Sequence, residues 1–183
     1  MKHIDLSKFD NSWYDPGRPL VIRALWYLLN ALFLKSHLNP SSGLKLFLMK
    51  LFGAKVGKGV VVKPGINIKY PWNLEIGDST WIGESAWLDS LAKITISNNV
   101  CISQGVYLCT GNHDYAKESF DLILKPIDIE DGVWLGARAV VCPGVALRSH
   151  SVVAAGSVVT DDTEAYTVYQ GNPAKPIRKR AIS

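Results

Sequence analysis

Aliphatic residues recur at every sixth position through most of the chain between residues 56 and 159, in groups of three. The step between neighbouring groups is longer at three junctions. An α-helix needs a period near 3.6 residues and a strand a period of about 2, so neither accounts for a period of six. The pattern is typical of a parallel β-solenoid, in which three short strands form one coil and each repeated side chain points inward. The repeated positions are Val56, Val62, Ile68, Ile76, Ile82, Leu88, Ile96, Ile102, Leu108, Ile129, Leu135, Val141, Leu147, Val153 and Val159.

The longest step, from Leu108 to Ile129, places an insertion at one corner of the predicted solenoid. We therefore expect a mainly β protein, in which residues 54–165 form a parallel β-helix of about five coils with an irregular loop over residues 111–126 after the third coil. Crossovers between parallel strands are usually right-handed, and the residue pattern alone leaves the handedness of the coil open. Residues 166–183 are predicted to form a basic C-terminal tail.

Residues 1–53 lack the six-residue period and are predicted to form an N-terminal arm and two short α-helices, over residues 20–34 and 43–52, where apolar residues recur at helical spacing. Residues 16–58 contain seven Lys or Arg and no Asp or Glu. Two interpretations follow. The helices pack on the prism and cap its open coil, or they make peripheral contact with a membrane, because apolar faces beside cations suit an anionic lipid surface. At fifteen residues the first helix is short for a transmembrane span.

The remaining composition bears on location and partners. Residues 1–19 contain three Asp and no apolar core, so no cleavable signal is predicted and we expect a cytoplasmic protein, with the inner face of the membrane as the alternative. The three cysteines are an odd number without metal-like spacing, which indicates reduced structural thiols. Residues 59–183 hold eleven basic and thirteen acidic residues, a net charge of −2, and we expect no nucleic-acid partner and no metal.

A histidine, His113, lies at the start of the insertion, within the segment TGNHDY at residues 110–115. Gly, Asn and Asp are turn-forming residues, so an exposed loop is expected here even without a function. A rigid repeating scaffold that is interrupted once, however, is typical of a functional loop. A neutral imidazole with a pKa near 6.5 is suited to proton transfer at neutral pH. These two points make His113 a candidate general base.

Several motifs accompany the hexads: TGNHDY, then IEDGVWLGARAVVCPGV at residues 129–145, AAGSVVT at residues 154–160 and GNPAKPIRKR at residues 171–180. Together they resemble the hexapeptide-repeat acyltransferases, and among these the colanic acid or exopolysaccharide O-acetyltransferases, which are related to galactoside and maltose O-acetyltransferases. The resemblance implies a left-handed parallel β-helix, a homotrimer with its sites between neighbouring prisms, and acetyl-CoA as the acyl donor.

The resemblance also implies roles for individual residues. His113 takes the place of the general base of the family, and the tryptophan of the VWIG motif falls on Trp134. The loop residues next to His113 are expected to bind the substrate. The basic side chains near the C-terminus suit the phosphates of CoA. The implied cofactor-binding residues are Trp134, Ala137, Ala155, Thr160, Lys175 and Arg178, and the implied substrate-binding residues are Asn112, Asp114 and Tyr115.

The sequence departs from the galactoside-type pattern at one position, because Glu84 stands where those enzymes place an active-site asparagine. Asp89, five residues later in the same coil, is a second carboxylate. We expect Glu84 or Asp89 to orient His113 or to bind a sugar hydroxyl, and both belong to the predicted catalytic set. In some relatives the orienting carboxylate comes from the N-terminal region, which leaves open the carboxylates of the arm. These are Asp5, Asp10 and Asp15.

The function that these observations favour is an acetyl-CoA-dependent O-acetyltransferase that acts by direct transfer on a saccharide hydroxyl, in exopolysaccharide or cell-surface glycan biosynthesis. Its acceptor could be lipid-linked. An amino-sugar N-acetyltransferase or a serine acetyltransferase on the same fold is an alternative, and so is a non-catalytic solenoid that binds a partner. A zinc enzyme of the carbonic-anhydrase type needs three histidines at one site, and only His113 is expected on the groove side.

Overall fold

Three parallel sheets form the walls of a prism in the computed structural model, which describes residues 3–183; the first two residues of the predicted arm lie outside it. The chain visits the sheets in turn, so each coil adds one strand to each sheet. Sheet 1 contains Lys55–Val56, Leu74–Ile76, Ile94–Ile96, Ile127–Ile129 and Ala146–Leu147; sheet 2 contains Val61–Val62, Trp81–Ile82, Cys101–Ile102, Trp134–Leu135, Val152–Val153, Thr167–Gly171 and Ala174–Lys179; sheet 3 contains Asn67–Ile68, Trp87–Asp89, Tyr107–Cys109, Val140–Val141 and Val158–Val159.

The predicted inward positions form the core. Fourteen of the fifteen aliphatic residues are at most 4% exposed, and Val56, in the first coil, is partly buried. The strand register stacks them directly, as in the column Val62, Ile82, Ile102 on sheet 2. Each buried aliphatic side chain contributes roughly 1.5–3 kcal/mol relative to an exposed one, so these stacked columns hold the coils together.

The C-terminal end differs from the prediction in both coil number and tail. Thr167–Gly171 pairs in parallel with Val152–Val153, which extends the solenoid to about six turns. Ala174–Lys179 then turns back antiparallel to Thr167–Gly171. The expected basic tail is therefore mostly an ordered hairpin, because Val168 and Tyr169 bury their side chains on the last coil.

The insertion after the third coil is also more regular than predicted. Gly111–His113 pairs antiparallel with Leu122–Leu124, with His113 opposite Leu122. The Lys125 amide then donates to the Thr110 carbonyl at 3.0 Å, which closes the base of this hairpin. The loop predicted as irregular over residues 111–126 is thus a two-stranded hairpin, and its pairing fixes the backbone on both sides of His113.

Two helices cover the open first coil. Helix α1 (Leu20–Leu29) continues as a π-helix over Asn30–Leu34, and helix α2 spans Ser42–Leu51. Side chains from both satisfy the free strand edges: Trp26 Nε1 donates to the Ile68 carbonyl at 3.0 Å, and Asn30 Oδ1 accepts from the Ile68 amide at 3.2 Å. The Ser42 hydroxyl accepts from the Val62 amide at 2.9 Å. The helices therefore pack on the first coil.

Removal of the Asn30 side chain should destabilise the protein measurably. Asn30→Ala leaves the Ile68 amide and the Asn67 side-chain oxygen without their partners in a buried position. We expect a loss of about 1–3 kcal/mol in the free energy of unfolding, the usual range for an unsatisfied buried polar group. Thermal melting at equal protein concentration measures it. Val21→Ala, at an exposed position of the same helix, is the control, and equal melting temperatures for the two variants would contradict the capping role.

Candidate active site

The residues that the sequence singled out lie along two different edges of the prism. At edge 2–3 the chain passes from sheet 2 to sheet 3, and this edge carries Glu84, Ala137 and Ala155 in the second, fourth and fifth coils. At edge 3–1 it passes from sheet 3 to sheet 1, and this edge carries the hairpin with His113 and, two coils later, Thr160. A single chain therefore separates the predicted base from much of the predicted cofactor-binding set.

His113 is held in a defined orientation by the hairpin. Its Nδ1 lies 2.9 Å from the carbonyl oxygen of Phe120. A carbonyl can only accept a hydrogen bond, so Nδ1 carries the proton and Nε2 of the neutral ring is left as a proton acceptor. The ring stacks on Phe120, with centroids 4.4 Å apart and 9° between planes, and Phe9 covers it at 5.6 Å. The site thus presents an imidazole whose tautomer suits a general base.

Phe120 adopts an unusual backbone conformation for a bulky residue, with φ of 52° in the left-handed region. Such a conformation costs about 1–3 kcal/mol and is concentrated at functional sites. Here it belongs to the residue that both stacks on His113 and accepts its Nδ1 proton. Strain at Phe120 is therefore tied to the position of the candidate base.

The N-terminal arm lies across the hairpin and forms one wall of the pocket at His113. The Asp5 amide donates to the Glu118 carbonyl at 2.9 Å, and Lys8 pairs with the Glu118 carboxylate at 2.6 Å. Further along, the Tyr14 hydroxyl donates to the Leu91 carbonyl at 2.9 Å. The arm, helix α1 and edge 3–1 together enclose a pocket. It is lined by Phe9, Asn11, Tyr14, Pro16, Arg23, Lys69, Tyr70, Leu91, His113 and Leu122.

The two predicted catalytic carboxylates have different surroundings. Glu84 lines a separate surface groove beside Trp81 and Ser103, away from the pocket of His113. Asp89 lies at the end of its sheet 3 strand, where Oδ2 accepts from the Tyr107 hydroxyl at 3.3 Å. Burial raises the pKa of the Asp89 carboxyl above its ordinary value. Within residues 3–183 neither carboxylate hydrogen-bonds the ring, and their roles stay predictions.

The arm carboxylates are engaged locally and do not orient the ring. Asp5 accepts from the Ser7 amide at 3.1 Å, Asp10 from the Ser12 amide at 2.8 Å, and Asp15 from the Gly17 amide at 2.8 Å. Hydrogen bonds from Ser12 lower the pKa of Asp10. Among residues 3–183 the Phe120 carbonyl lies at Nδ1, and the orientation of His113 by a carboxylate stays a prediction.

The predicted substrate-binding residues shape the hairpin in this chain. Asn112 Oδ1 accepts from the His113 amide at 2.8 Å, and Asp114 Oδ1 accepts from the Ala116 amide at 3.1 Å. Tyr115 is 81% exposed at the tip. None of the three lines the pocket at His113 within one chain, so a role in binding substrate remains a prediction.

Hydrogen bonds and close backbone stacking order the surface at and beside edge 2–3. Trp134 projects from sheet 2 and donates from Nε1 to the Ser103 hydroxyl at 3.0 Å. The Gly156 amide donates to the Ala137 carbonyl at 2.8 Å, which stacks the last two corners. A side chain at Gly136 would place its Cβ 2.6 Å from the Ala155 amide nitrogen, so only glycine permits this close stacking.

The other predicted cofactor-binding residues are dispersed. Thr160 is exposed and donates from its hydroxyl to Asp161 at 3.0 Å. Lys175 and Arg178 lie on the outer strand of the C-terminal hairpin, where both are exposed. The structure therefore places Trp134, Ala137 and Ala155 together but separates them from Thr160, and the cofactor role of each residue stays a prediction.

Sequence reasoning predicted only His113 among the residues that line its pocket, and missed Phe9, Arg23 and Lys69 there as well as Phe120, which stacks on the ring. Phe120 acts through its main-chain carbonyl, for which side-chain identity gives no signal. Phe9 and Arg23 reach the site only because the arm and helix α1 fold back onto edge 3–1. Lys69 directly follows a sheet 3 strand, Asn67–Ile68. The six-residue period could therefore have indicated that Lys69 lies at edge 3–1.

Comparison with known proteins identifies the family. The hexapeptide repeat of succinyl-transferase matches residues 126–161. The putative colanic acid biosynthesis acetyltransferase WcaF of Escherichia coli K12 is 41% identical over 176 residues, which cover 96% of this chain and 97% of the relative. The galactoside O-acetyltransferase of the same organism is 32% identical over 168 residues, covering 90% of this chain and 80% of the relative.

A solved structure agrees. A hexapeptide-repeat-containing acetyltransferase of Vibrio cholerae O1 biovar eltor, complexed with acetyl coenzyme A, superposes with a TM-score of 0.79 at 29% identity, covering 88% of each chain. The full-length sequence match, the parallel solenoid and the histidine mounted on its one long insertion agree with one another. The chain belongs to the hexapeptide-repeat acetyltransferase family.

Proposed function

We propose that this protein transfers an acetyl group from acetyl-CoA to a saccharide hydroxyl, in the synthesis of an exopolysaccharide or cell-surface glycan. The observation that carries the proposal is the hydrogen bond from His113 Nδ1 to the Phe120 carbonyl, which leaves Nε2 as a base at a surface pocket. The names of the relatives support the donor and the acceptor class, since they include an acetyl coenzyme A complex and a galactoside O-acetyltransferase.

The reaction needs no covalent enzyme intermediate. His113 Nε2 removes the proton of the acceptor hydroxyl as its oxygen attacks the thioester carbonyl carbon. The carbon–sulfur bond then breaks, and the imidazolium returns the proton to the CoA sulfur. The Phe120 carbonyl stabilises the imidazolium through the Nδ1 proton. Juxtaposition of donor and acceptor supplies the rest of the rate enhancement.

We propose a homotrimer in which the active site lies between neighbouring prisms. Edges 2–3 and 3–1 are separated within one chain, so a site that uses both requires two copies. The outer faces support such packing. Sheet 2 exposes Trp81 and Trp134, and sheet 3 exposes Trp87, whereas the outer face of sheet 1 carries the ion pairs of Glu75 with two lysines. Exposed aromatic faces are typical of interaction surfaces.

The exposed apolar side chains of the two helices form what we call the helical apolar patch, defined by Val21, Ile22, Leu25, Leu28, Leu32, Leu44, Phe47 and Leu51. On α1 four of them follow helical spacing along one face, and on α2 three do. A groove lined by Ile22, Leu25 and Leu51 connects the two helices. Phe47 is 61% exposed and Val21 76%, although the helices also cap the solenoid. The patch is therefore an additional surface beyond what the capping role requires.

We propose that this patch rests on an anionic membrane surface. The surrounding segment, residues 16–58, carries seven cations and no acid, and the five of these cations that are exposed complement anionic lipid. Within residues 3–183 no helix has both the length and the apolar character needed to cross a bilayer. The contact would accordingly be interfacial, with apolar side chains at the acyl boundary and lysines at the headgroups.

Replacement of His113 tests the mechanism. His113→Ala should lower kcat by about 10²–10⁴ and leave the affinity for CoA nearly unchanged, the scale of a lost general base. His113→Asn is the matched variant, because its amide can still donate to the Phe120 carbonyl but cannot accept the proton. Both should be equally slow in acetyl transfer to a panel of saccharides followed by mass spectrometry. Near-normal turnover of either variant would exclude the mechanism.

Mixed assemblies test whether two chains share a site. Ala155→Glu, a change at the exposed edge 2–3, should block the cofactor, and His113→Ala removes the base from edge 3–1. Each variant alone should be inactive. Trimers formed by coexpression of both should regain activity, because roughly a quarter of the interfaces then carry both intact edges. Mixed assemblies as inactive as their parents would show that one chain supplies the whole site, as would full activity of a monomer in light scattering.

Vesicle flotation tests the membrane contact. The wild-type protein should float with vesicles of anionic lipid at low salt and less at high salt, because headgroup attraction is screened. Phe47→Ser combined with Leu28→Ser should abolish flotation, whereas Trp81→Ser, on the solenoid wall, should not. If the patch is instead an interface between copies, the double variant changes the oligomeric mass in light scattering, and wild-type protein stays in the soluble fraction.

A further inference from the structure

The pocket at His113 continues into a second groove that the proposed reaction does not use. The two share Arg23, Lys69 and Tyr70. The second groove runs between helix α1 and sheet 3, and reaches Lys35 at the end of the π-helix. We call this continuous channel the cationic groove. Its defining residues are Arg23, Lys35, Lys69, Tyr27, Tyr70 and Trp87.

Three positive charges in the cationic groove have no anionic partner among residues 3–183. Arg23, Lys35 and Lys69 form no ion pair within 4.0 Å, unlike Lys55, which pairs with Glu75 at 2.8 Å. Among residues 3–183, no Asp or Glu lines either part of the channel. Asp89 is close enough to be influenced by the charge of Lys69, yet its contact is with the Tyr107 hydroxyl. The channel is therefore electropositive next to the candidate base.

Arg23 carries the clearest indication of a missing ligand. Its Nε is buried and has no hydrogen-bond partner within the described chain. A buried donor without a partner costs about 1–3 kcal/mol, and more when the group is charged. The guanidinium has five N–H donors in a fixed planar fork that matches the oxygens of a phosphate. Arg23 thus has an unsatisfied Nε–H and lines a channel that leads to His113.

Lys69 and the aromatic side chains complete a site of recognisable chemistry. The Lys69 amine lies 5.7 Å from the centre of the Tyr70 ring, and Tyr70 in turn stacks on Trp72 at 4.9 Å. Trp87 stacks on Tyr107 at 4.6 Å, which gives the channel a rigid aromatic wall. Cations combined with flat aromatic faces suit a ligand that has both anionic and sugar-like portions.

We propose that the acceptor is a saccharide linked to a phosphate or diphosphate, with Arg23 and Lys69 binding the phosphate oxygens while the sugar hydroxyl faces His113. The proposal rests on the proposed function, because it names the acceptor class of the same site. The phosphate provides binding energy remote from the reacting hydroxyl and positions the sugar for attack on the thioester. Lys35 lies further along the channel, where it would bind the second phosphate of a diphosphate.

The test compares one sugar in free form and as its glycosyl diphosphate. In the wild-type enzyme the diphosphate should be acetylated with a kcat/KM at least tenfold higher. Arg23→Gln and Lys69→Gln should each lower the kcat/KM for the diphosphate by roughly tenfold, lower the kcat/KM for the free sugar much less, and leave the KM for acetyl-CoA unchanged. Arg23→Lys should retain part of it. Lys58→Gln removes an equal charge outside the channel and should change nothing.

Three outcomes would overturn the proposal. One is equal use of both forms by the wild-type enzyme, and another is an equal loss for both forms in the variants. The third is a raised KM for acetyl-CoA in Arg23→Gln, which would assign the channel to the cofactor. A diphosphate linked to a nucleoside and one linked to a polyprenyl chain share this chemistry. They are distinguished by whether the soluble nucleotide sugar or the vesicle-bound form has the higher kcat/KM.

A binding measurement separates this proposal from the failure of the proposed reaction. Titration calorimetry with inorganic pyrophosphate should detect binding to the wild-type protein and to His113→Ala, and a loss of about tenfold in affinity for Arg23→Gln or Lys69→Gln. If no saccharide is acetylated but this pattern holds, the acetyl-transfer proposal fails and the phosphate subsite stands. If the four proteins bind pyrophosphate equally or not at all, while the free sugar is acetylated, the subsite fails and the reaction stands.

Discussion

Parallel pairing between successive coils is the interaction on which the rest of the structure depends. Each strand of the first five coils has only two or three residues, so it is stable only when the next coil repeats its register. An insertion at a corner leaves this pairing intact. Ile127 pairs with Ile94 in sheet 1 although the hairpin of His113 intervenes in the chain. The scaffold therefore carries the hairpin of the candidate base without any change to its core, and the position of His113 is fixed by the coils on either side.

Much of the scaffold could be predicted from the spacing of residues. Glu84, Ala137 and Ala155 each lie two residues after the middle aliphatic residue of their coil, so the period alone assigns them to one edge. The hairpin could not be predicted in the same way, because its pairing depends on only three residues on each strand. The C-terminal hairpin was hidden for a related reason. The six-residue period ends after Val159. No repeat in the sequence therefore indicates that Val168 and Tyr169 are buried.

The candidate base could be named from the sequence, but the group that orients it could not. The histidine stands out because it begins the insertion, whereas the group that orients it is a main-chain carbonyl. A carboxylate in that position would bind the protonated imidazole more strongly than a neutral carbonyl does. The carbonyl fixes the tautomer without placing a negative charge beside the ring. Helix α1 also has two functions that composition cannot separate: Trp26 caps the first coil, and Arg23 faces the pocket.

The covered ends of the solenoid have a consequence for solubility. A stack of parallel strands ends in rows of unpaired amide and carbonyl groups, which invite strands from another molecule and the growth of fibrils. At one end the side chains of Trp26, Asn30 and Ser42 occupy groups of this kind. At the other end, sheet 2 finishes in an antiparallel strand whose outer positions carry Lys175 and Arg178. Repulsion between such cations opposes end-to-end joining, so a fold made of identical layers stops at a defined length.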